Sequence, residues 1–309
     1  MTDAPVPNVH VLYVHGAGKQ GAEHALKEAY DDALFAGRGP SSVARFADVF
    51  WGPRNPYDAA GPDATLDAIA SERLSPRDSA ERVVDSVPIA PTSEAIFDED
   101  DRQDAIDLSS ALFARADELE AIADCARNAE SLPEPIFRAL AALASRDVVA
   151  YLYKGWAAAM REPVISALRL APDPLIMIAH SLGSIVTYDV LCRDEFKGRD
   201  IRLLITAGSP LGIDNVKRRL NDCNGPANLP PAIAHWANFA DPEDLVVLFG
   251  YEIAKEYEPP PSIRDEPGVN NPAENNHDLT GYLQGTALRV LVRKTMGNKR
   301  PDEESQTSS

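Results

Sequence analysis

Ala179-His180-Ser181-Leu182-Gly183 stands between an apolar run, Leu175 to Ile178, and an amphipathic segment, Ile185 to Leu191. That order is the strand, tight turn and helix that a serine nucleophile elbow requires. A serine hydroxyl is a poor nucleophile at neutral pH, so it must project from a strained turn beside a base and close to donors for an oxyanion. The turn demands small neighbours. Gly183 supplies one, and Ala179, two before Ser181, stands where the usual pattern has glycine; alanine still clears the turn.

Such a serine is inert without a base, and the chain offers six histidines: His10, His15, His24, His180, His235 and His277. His10 falls in an apolar run, His24 in a helical pattern and His235 early in a strand, where core packing or surface exposure is the ordinary explanation. His180 adjoins Ser181 on the turn, so its side chain is expected to point away from the hydroxyl. His277 lies in the polar stretch Asn275-Asn276-His277-Asp278-Leu279, directly before the last amphipathic helix. Acids are available in Asn238-Phe239-Ala240-Asp241-Pro242-Glu243-Asp244-Leu245-Val246, where either aspartate could orient an imidazole or merely cap the turn around Pro242.

The elements that would carry these groups alternate. Val9 to Val14 is a strand ending in His15-Gly16-Ala17-Gly18, followed by a helical pattern through Leu26, Tyr30, Ala33 and Leu34, and Val43 to Trp51 reads as a second strand. From Gly52 to about residue 148 the rhythm changes to a mainly helical insertion. It has a helix start at Ser75-Pro76-Arg77-Asp78, an acidic run Asp98 to Asp101 read as a solvated loop, and periodic stretches through Leu108 to Ala126 and Ile136 to Leu143. Val149 to Leu170 reads as a crossover helix into the strand before Ser181. Strands at Ile201 to Thr206 and Ile233 to Phe239, a short helix at Ile213 to Leu220 and a closing helix at Leu279 to Met296 complete an α/β pattern with a mostly parallel sheet. The polar stretch from Gly297 to Ser309 is expected to be disordered.

A chain of 309 residues with 44% hydrophobic and 25% charged residues can bury a large core. The formal net charge of -18 repels nucleic acid and anionic headgroups and disfavours them as partners. No apolar run approaches the roughly 20 residues of a membrane span, so no stable membrane insertion is expected. The start, Met1-Thr2-Asp3-Ala4-Pro5, lacks a basic region followed by an apolar one, and the three cysteines (Cys125, Cys192, Cys223) are odd in number and far apart. Reduced thiols, with Cys192 in the core, and a cytoplasmic location are the expectation. No metal cluster or nucleotide fingerprint appears, so no cofactor is implied.

Taken together, these residues resemble the α/β-hydrolase superfamily, in its serine esterase and lipase branch, over Val9 to Trp51 and again from about Val149 to Met296. Ile178 to Val186 with Tyr188-Asp189-Val190-Leu191 looks like that branch's elbow and following helix, and Ala207-Gly208-Ser209-Pro210-Leu211 is similar to its next strand-end turn. In that superfamily the triad runs serine, acid, histidine along the chain, which implies His277 as the base. Asp244, with Leu245 and Val246 after it, matches the acid loop of lipases and is the first choice of acid; Asp241 is the alternative and Glu243 a distant third. His15-Gly16-Ala17-Gly18 resembles the lipase oxyanion turn, implying the N–H groups of Ala17 and Leu182 as oxyanion donors. The acid loop is also weakly similar to phospholipase-like DDHD domains, but Asp241 stands where their histidine would be and Leu245 where their second proline would be.

The implied activity is hydrolysis of carboxylic esters, lipid-like esters included, through an acyl-enzyme on Ser181. The same triad would serve a thioesterase, amidase or peptidase, and a catalytically silent hydrolase fold used as a partner-binding scaffold is the alternative of another class. The insertion, residues 52 to 148, could be a lid over the site or an oligomerisation element.

Overall fold

His10–Val14 (β1), Leu175–His180 (β3) and Ile201–Ala207 (β4) are buried along their whole length. Parallel strands covered on both faces have no solvent side, so they read as continuous apolar runs. A computed structural model describes residues 9–17, 23–36, 46–49, 63–91, 97–126, 136–226, 228–247, 252–257, 262–273 and 276–297. With Phe46–Val49 (β2), Trp236–Ala240 (β5) and Ile263–Pro267 (β6), the strands form a six-stranded sheet in the order β2-β1-β3-β4-β5-β6. Every pairing is parallel.

The helices run in chain order: Glu23–Phe35 (α1), Asp63–Ser71 (α2), Pro76–Ser86 (α3), Glu99–Ala126 (α4), Ile136–Leu152 (α5), Ala157–Leu170 (α6), Leu182–Leu191 (α7), Asp214–Asn224 (α8), Leu279–Gln284 (α9) and Thr286–Gly297 (α10). On one face of the sheet, Val11, Tyr13, Ile178, Ile205 and Phe239 share a core with Leu34 of α1 and with Leu283, Leu288 and Val292 of α9 and α10. On the other, Leu12, Val14, Met177 and Leu204 form one continuous cluster with α7 and with Leu66, Val83, Ile106, Phe113 and Ala141 of α2 to α5. The inserted helices thus bury their apolar stripes mainly against one another, and α5 joins them to the sheet's core through α6 and α7. Buried Arg138 of α5 ties them together, pairing with Asp117 of α4 and donating to Ser79 Oγ of α3 at 2.7 Å and to Leu74 O at 3.2 Å.

The chain leaves β1 for β2 on one side and returns to β3 on the other, so the winding reverses between β1 and β3. At such a switch point a crevice opens beyond the carboxyl ends of the strands. Ser181 is the residue immediately after β3.

Several boundaries differ from the expected ones. The stretch Val149 to Leu170 is not one helix: α5 runs through residue 148 to Leu152, and α6 begins at Ala157 after a turn in which Gly155 takes φ 78°. A left-handed glycine ends a helix at little cost, and the amides of Tyr153 and Lys154 both fold back onto Val149 O. Asp98 to Asp101 is not a loop; Glu99, Asp100 and Asp101 form the first turn of α4, and Asp98 accepts from Asp101 N at 2.9 Å, where acidic groups suit the helix dipole. The strand expected from Ile233 starts at Trp236, Ile233 contributing a single bridge to Ile201. The closing helix is divided at Gly285 into α9 and α10. β6 is a strand beyond those expected: its sequence, Ile-Arg-Asp-Glu-Pro, lacks the apolar signal because an edge strand is half exposed.

Other expectations agree. Ser75 caps α3, accepting from Asp78 N at 3.1 Å with Pro76 at the first helical position. Residues 43–45, 50–62 and 298–309, which carry parts of the second strand, the start of the insertion and the polar tail, lie outside the described residues, as does Gly18.

Candidate active site

Ser181 adopts φ 52°, ψ -132° between β3 and α7. A non-glycine residue at positive φ is costly, and such strain persists where surrounding contacts impose it. Here Ser181 N donates to Ala207 O at 3.1 Å, tying the turn to β4, while Ser181 O accepts from Ser184 N at 2.9 Å and Ser184 Oγ at 2.6 Å. Glycines admit the approach of neighbouring main chain. A Cβ on Gly183 would lie 2.3 Å from His15 O, and one on Gly16 would lie 2.5 Å from Ser181 Cβ and 3.1 Å from its Oγ. Ala179, wholly buried in β3, fits where glycine is usual.

His277 Nδ1 donates to both oxygens of Asp244, at 2.8 and 2.9 Å. Asp244 is fully buried and also accepts from Tyr282 O–H at 2.7 Å and Val246 N at 2.8 Å. Burial and the adjacent Asp244 carboxylate hold the Tyr282 phenol far above its ordinary pKa, so it stays a donor. The pair rests against Gly208, which takes φ +55° and whose Cβ would lie 2.7 Å from Asp244 Oδ2 and 3.0 Å from His277 Nδ1. With Nδ1 donating, neutral His277 keeps its lone pair on Nε2.

Asp241 does other work. Its Oδ1 accepts from Glu243 N at 2.8 Å and its Oδ2 from Asn271 N at 2.6 Å. Glu243 is exposed and accepts from Asn276 Nδ2 at 3.0 Å. Of the three acids considered, the Asp244 carboxylate is the one seated on His277 Nδ1.

Two further residues set the His277 loop. Asn271, 3% exposed, donates from Nδ2 to Asn276 O and Asp278 O, each at 2.8 Å. His180 Nε2 donates to the carbonyl between them, His277 O, at 2.6 Å. The carbonyls of 276, 277 and 278 are thereby all engaged. His180 therefore does not point out of the constellation as expected: its ring centroid lies 4.6 Å from that of His277. The elbow turns this side chain toward the adjacent loop. Burial first, and then the nearby His277 ring, hold the His180 imidazole well below its usual pKa, keeping it neutral. Asn271 escapes sequence reasoning because a side chain bonding to main chain leaves no spacing signature. Its one clue is Gly281, where a Cβ would overlap the Asn271 amide at 1.5 Å.

Ser181, His277 and His180 line one cavity of about 250 Å³, with Tyr30 of α1, Leu140 and Leu143 of α5 and Leu279 of α9 on its walls. A narrow slot of about 10 Å³ adjoins it, sharing Ala17, Ala144, Ser181 and Val246, and is walled further by Leu182, Leu108, Leu112, Val148 and Val216. Both expected oxyanion positions, Ala17 and Leu182, thus border Ser181. The four remaining histidines stand elsewhere or in support: His10 is buried in β1, His24 belongs to α1, His235 is exposed before β5, and His15 Nδ1 donates to Gly16 O at 2.9 Å. Cys192 is half-buried against the core, and burial pushes its thiol up to about 11, unsuited to nucleophilic duty.

Among the described residues, no group of three His, Cys, Asp or Glu side chains is placed to hold a metal ion, and no helix is long and apolar enough to cross a membrane. Comparison of the chain with protein-family models and with curated proteins returns no match. The architecture is α/β, an all-parallel sheet flanked by helices on both faces.

Proposed function

We propose that this chain is a serine hydrolase of the α/β-hydrolase type that cleaves carboxylic esters. The observation that carries the reading is the Asp244–His277 pair, bonded through Nδ1, opening onto the same cavity as a serine held at positive φ at the sheet's switch point. Ser181 Oγ attacks the ester carbonyl as His277 Nε2 takes its proton, and Asp244 stabilises the imidazolium that forms. The amides of Ala17 and Leu182, the latter at the start of α7, receive the oxyanion. Collapse breaks the bond to the alcohol oxygen, which takes the proton from His277. Water then gives a proton to His277 as its oxygen attacks the acyl carbon; the bond to Ser181 Oγ breaks, the acid leaves, and His277 returns that proton to Ser181 Oγ.

No cofactor enters these steps. The role of the insertion as a lid is supported by α5, whose Leu140 and Leu143 roof the cavity that Ser181 and His277 line. A fluorophosphonate probe tests the whole reading: it should label Ser181, and Ser181→Ala should abolish labelling and lower ester turnover on the order of 10⁴ to 10⁶-fold. Absence of labelling in the wild-type protein would leave the fold as a binding scaffold.

A further inference from the structure

Ser181 lines two adjoining chambers of very different capacity. The larger, about 250 Å³, contains His277; the slot, about 10 Å³, contains Leu182 and aliphatic side chains of α4, α5 and α8, and Ala17 borders both. A space near 10 Å³ on this scale admits roughly one water molecule. A methyl group is of similar size.

Resting on the hydrolase reading above, we propose that the slot holds the acyl substituent and the larger chamber the alcohol, so that the substrates are acetyl-sized esters of bulky apolar alcohols. The assignment derives from the path of the proton. On collapse of the tetrahedral adduct the C–O bond to the alcohol breaks, and that oxygen takes the proton that His277 removed from Ser181, so the leaving group must lie on the His277 side. The carbonyl oxygen turns to Ala17 and Leu182. Its remaining substituent, the acyl chain, then enters the slot those two residues border.

Chain length is limited by the walls of the slot. Leu108, Leu112, Val148 and Val216 are all buried at 5% exposure or less, in a close-packed layer between α4, α5 and α8. Extra methylenes must displace packed side chains, which cores resist. The larger chamber carries no such limit: Leu140 and Leu143 are only partly buried there, and Tyr30 and Thr280 extend its wall.

The test is a series of 1-naphthyl esters with acetyl, butyryl, hexanoyl and octanoyl groups, read as kcat/KM on the full chain. The acetate should be best, with a fall of about 10-fold or more to the butyrate, since a single methylene in a tight pocket discriminates by at least that much. Leu112→Ala should raise the butyrate-to-acetate ratio by about 10-fold, and Leu143→Trp should lower turnover of naphthyl acetate relative to methyl acetate. The wild-type series decides the matter even if neither variant folds. Ser181-dependent hydrolysis that is flat with chain length, or best on the octanoate, would overturn this assignment and leave the hydrolase reading intact. Failure of the fluorophosphonate to label Ser181, with no ester turned over, would overturn both.

Discussion

The imidazole of His180 donates through Nε2 to the main-chain oxygen of His277 at 2.6 Å, so the residue before the candidate nucleophile holds the backbone of the candidate base. Asn271 grips the carbonyls on either side, and Asp241 in turn accepts from Asn271 N. Orientation of the base thus depends on a chain of contacts behind it, as well as on Asp244 in front. Displacement of a reacting group by about 1 Å can cost on the order of 100-fold in rate.

His180→Phe keeps a ring in the cavity wall but removes the donor. We expect kcat to fall by about 10 to 100-fold with a smaller change in KM, because substrate still binds while His277 wanders. His180→Gln, whose amide can still donate, should recover part of the loss. Steady-state kinetics of the two variants decide the point; equal activity in both would remove the positioning role.

Asp244→Asn and Asp241→Asn should separate two carboxylates three residues apart. The first leaves the shape of the site while impairing orientation of His277 and stabilisation of its imidazolium, and kcat should drop by about 10³ to 10⁴-fold with little change in melting temperature. The second weakens two main-chain anchors, at Glu243 and Asn271, so stability should fall more than turnover. Kinetics and thermal melts on the same preparations provide the readout, and a reversed pattern would exchange the two roles.

How far sequence alone reveals this arrangement depends on whether a residue acts through its neighbours in the chain. The elbow around Ser181 and the strands β1, β3 and β4 are local signals, an apolar run with small residues after it, and they stand where expected. In sequence, Asp244 differs from Asp241 only by the Leu245-Val246 pair after it, and its bond to His277 requires coordinates. Edge strand β6 hides because half its side chains face water. Asn271 and the inward turn of His180 are illegible for a different reason: each acts on main-chain carbonyls of a distant loop, and such contacts impose no pattern on the sequence.

Stability should fall on acidification through His180. Its folded pKa lies well below the usual 6.5, owing first to burial, so below about pH 6.5 the unfolded chain binds a proton that the folded chain refuses. Acid therefore favours unfolding. The loss begins near pH 6.5 and continues down to the folded pKa, at up to about 1.4 kcal/mol per pH unit. Melting temperature measured from pH 7 to pH 5 should decline more steeply for the wild type than for His180→Gln. Parallel curves would refute the claim that a buried neutral imidazole sits at position 180.

Gly16 and Gly208 press on the two halves of the site, and alanine at each should separate catalysis from simple folding defects. On Gly16 the new Cβ meets Ser181 Cβ at 2.5 Å, an atom tied directly to the main chain, so the nucleophile must shift. On Gly208 it meets Asp244 Oδ2 at 2.7 Å and His277 Nδ1 at 3.0 Å, at φ +55°, where a side chain adds about 1–2 kcal/mol of strain of its own. We expect kcat/KM to fall by roughly 100-fold in each, with a lower melting temperature for Gly208→Ala in particular. Gly198→Ala is the control: its Cβ meets nothing within 4 Å and it lies away from the site, so both activity and melting temperature should hold. Should Gly16→Ala and Gly208→Ala behave like that control, the close approaches at Ser181 and at the Asp244–His277 pair would not govern catalysis.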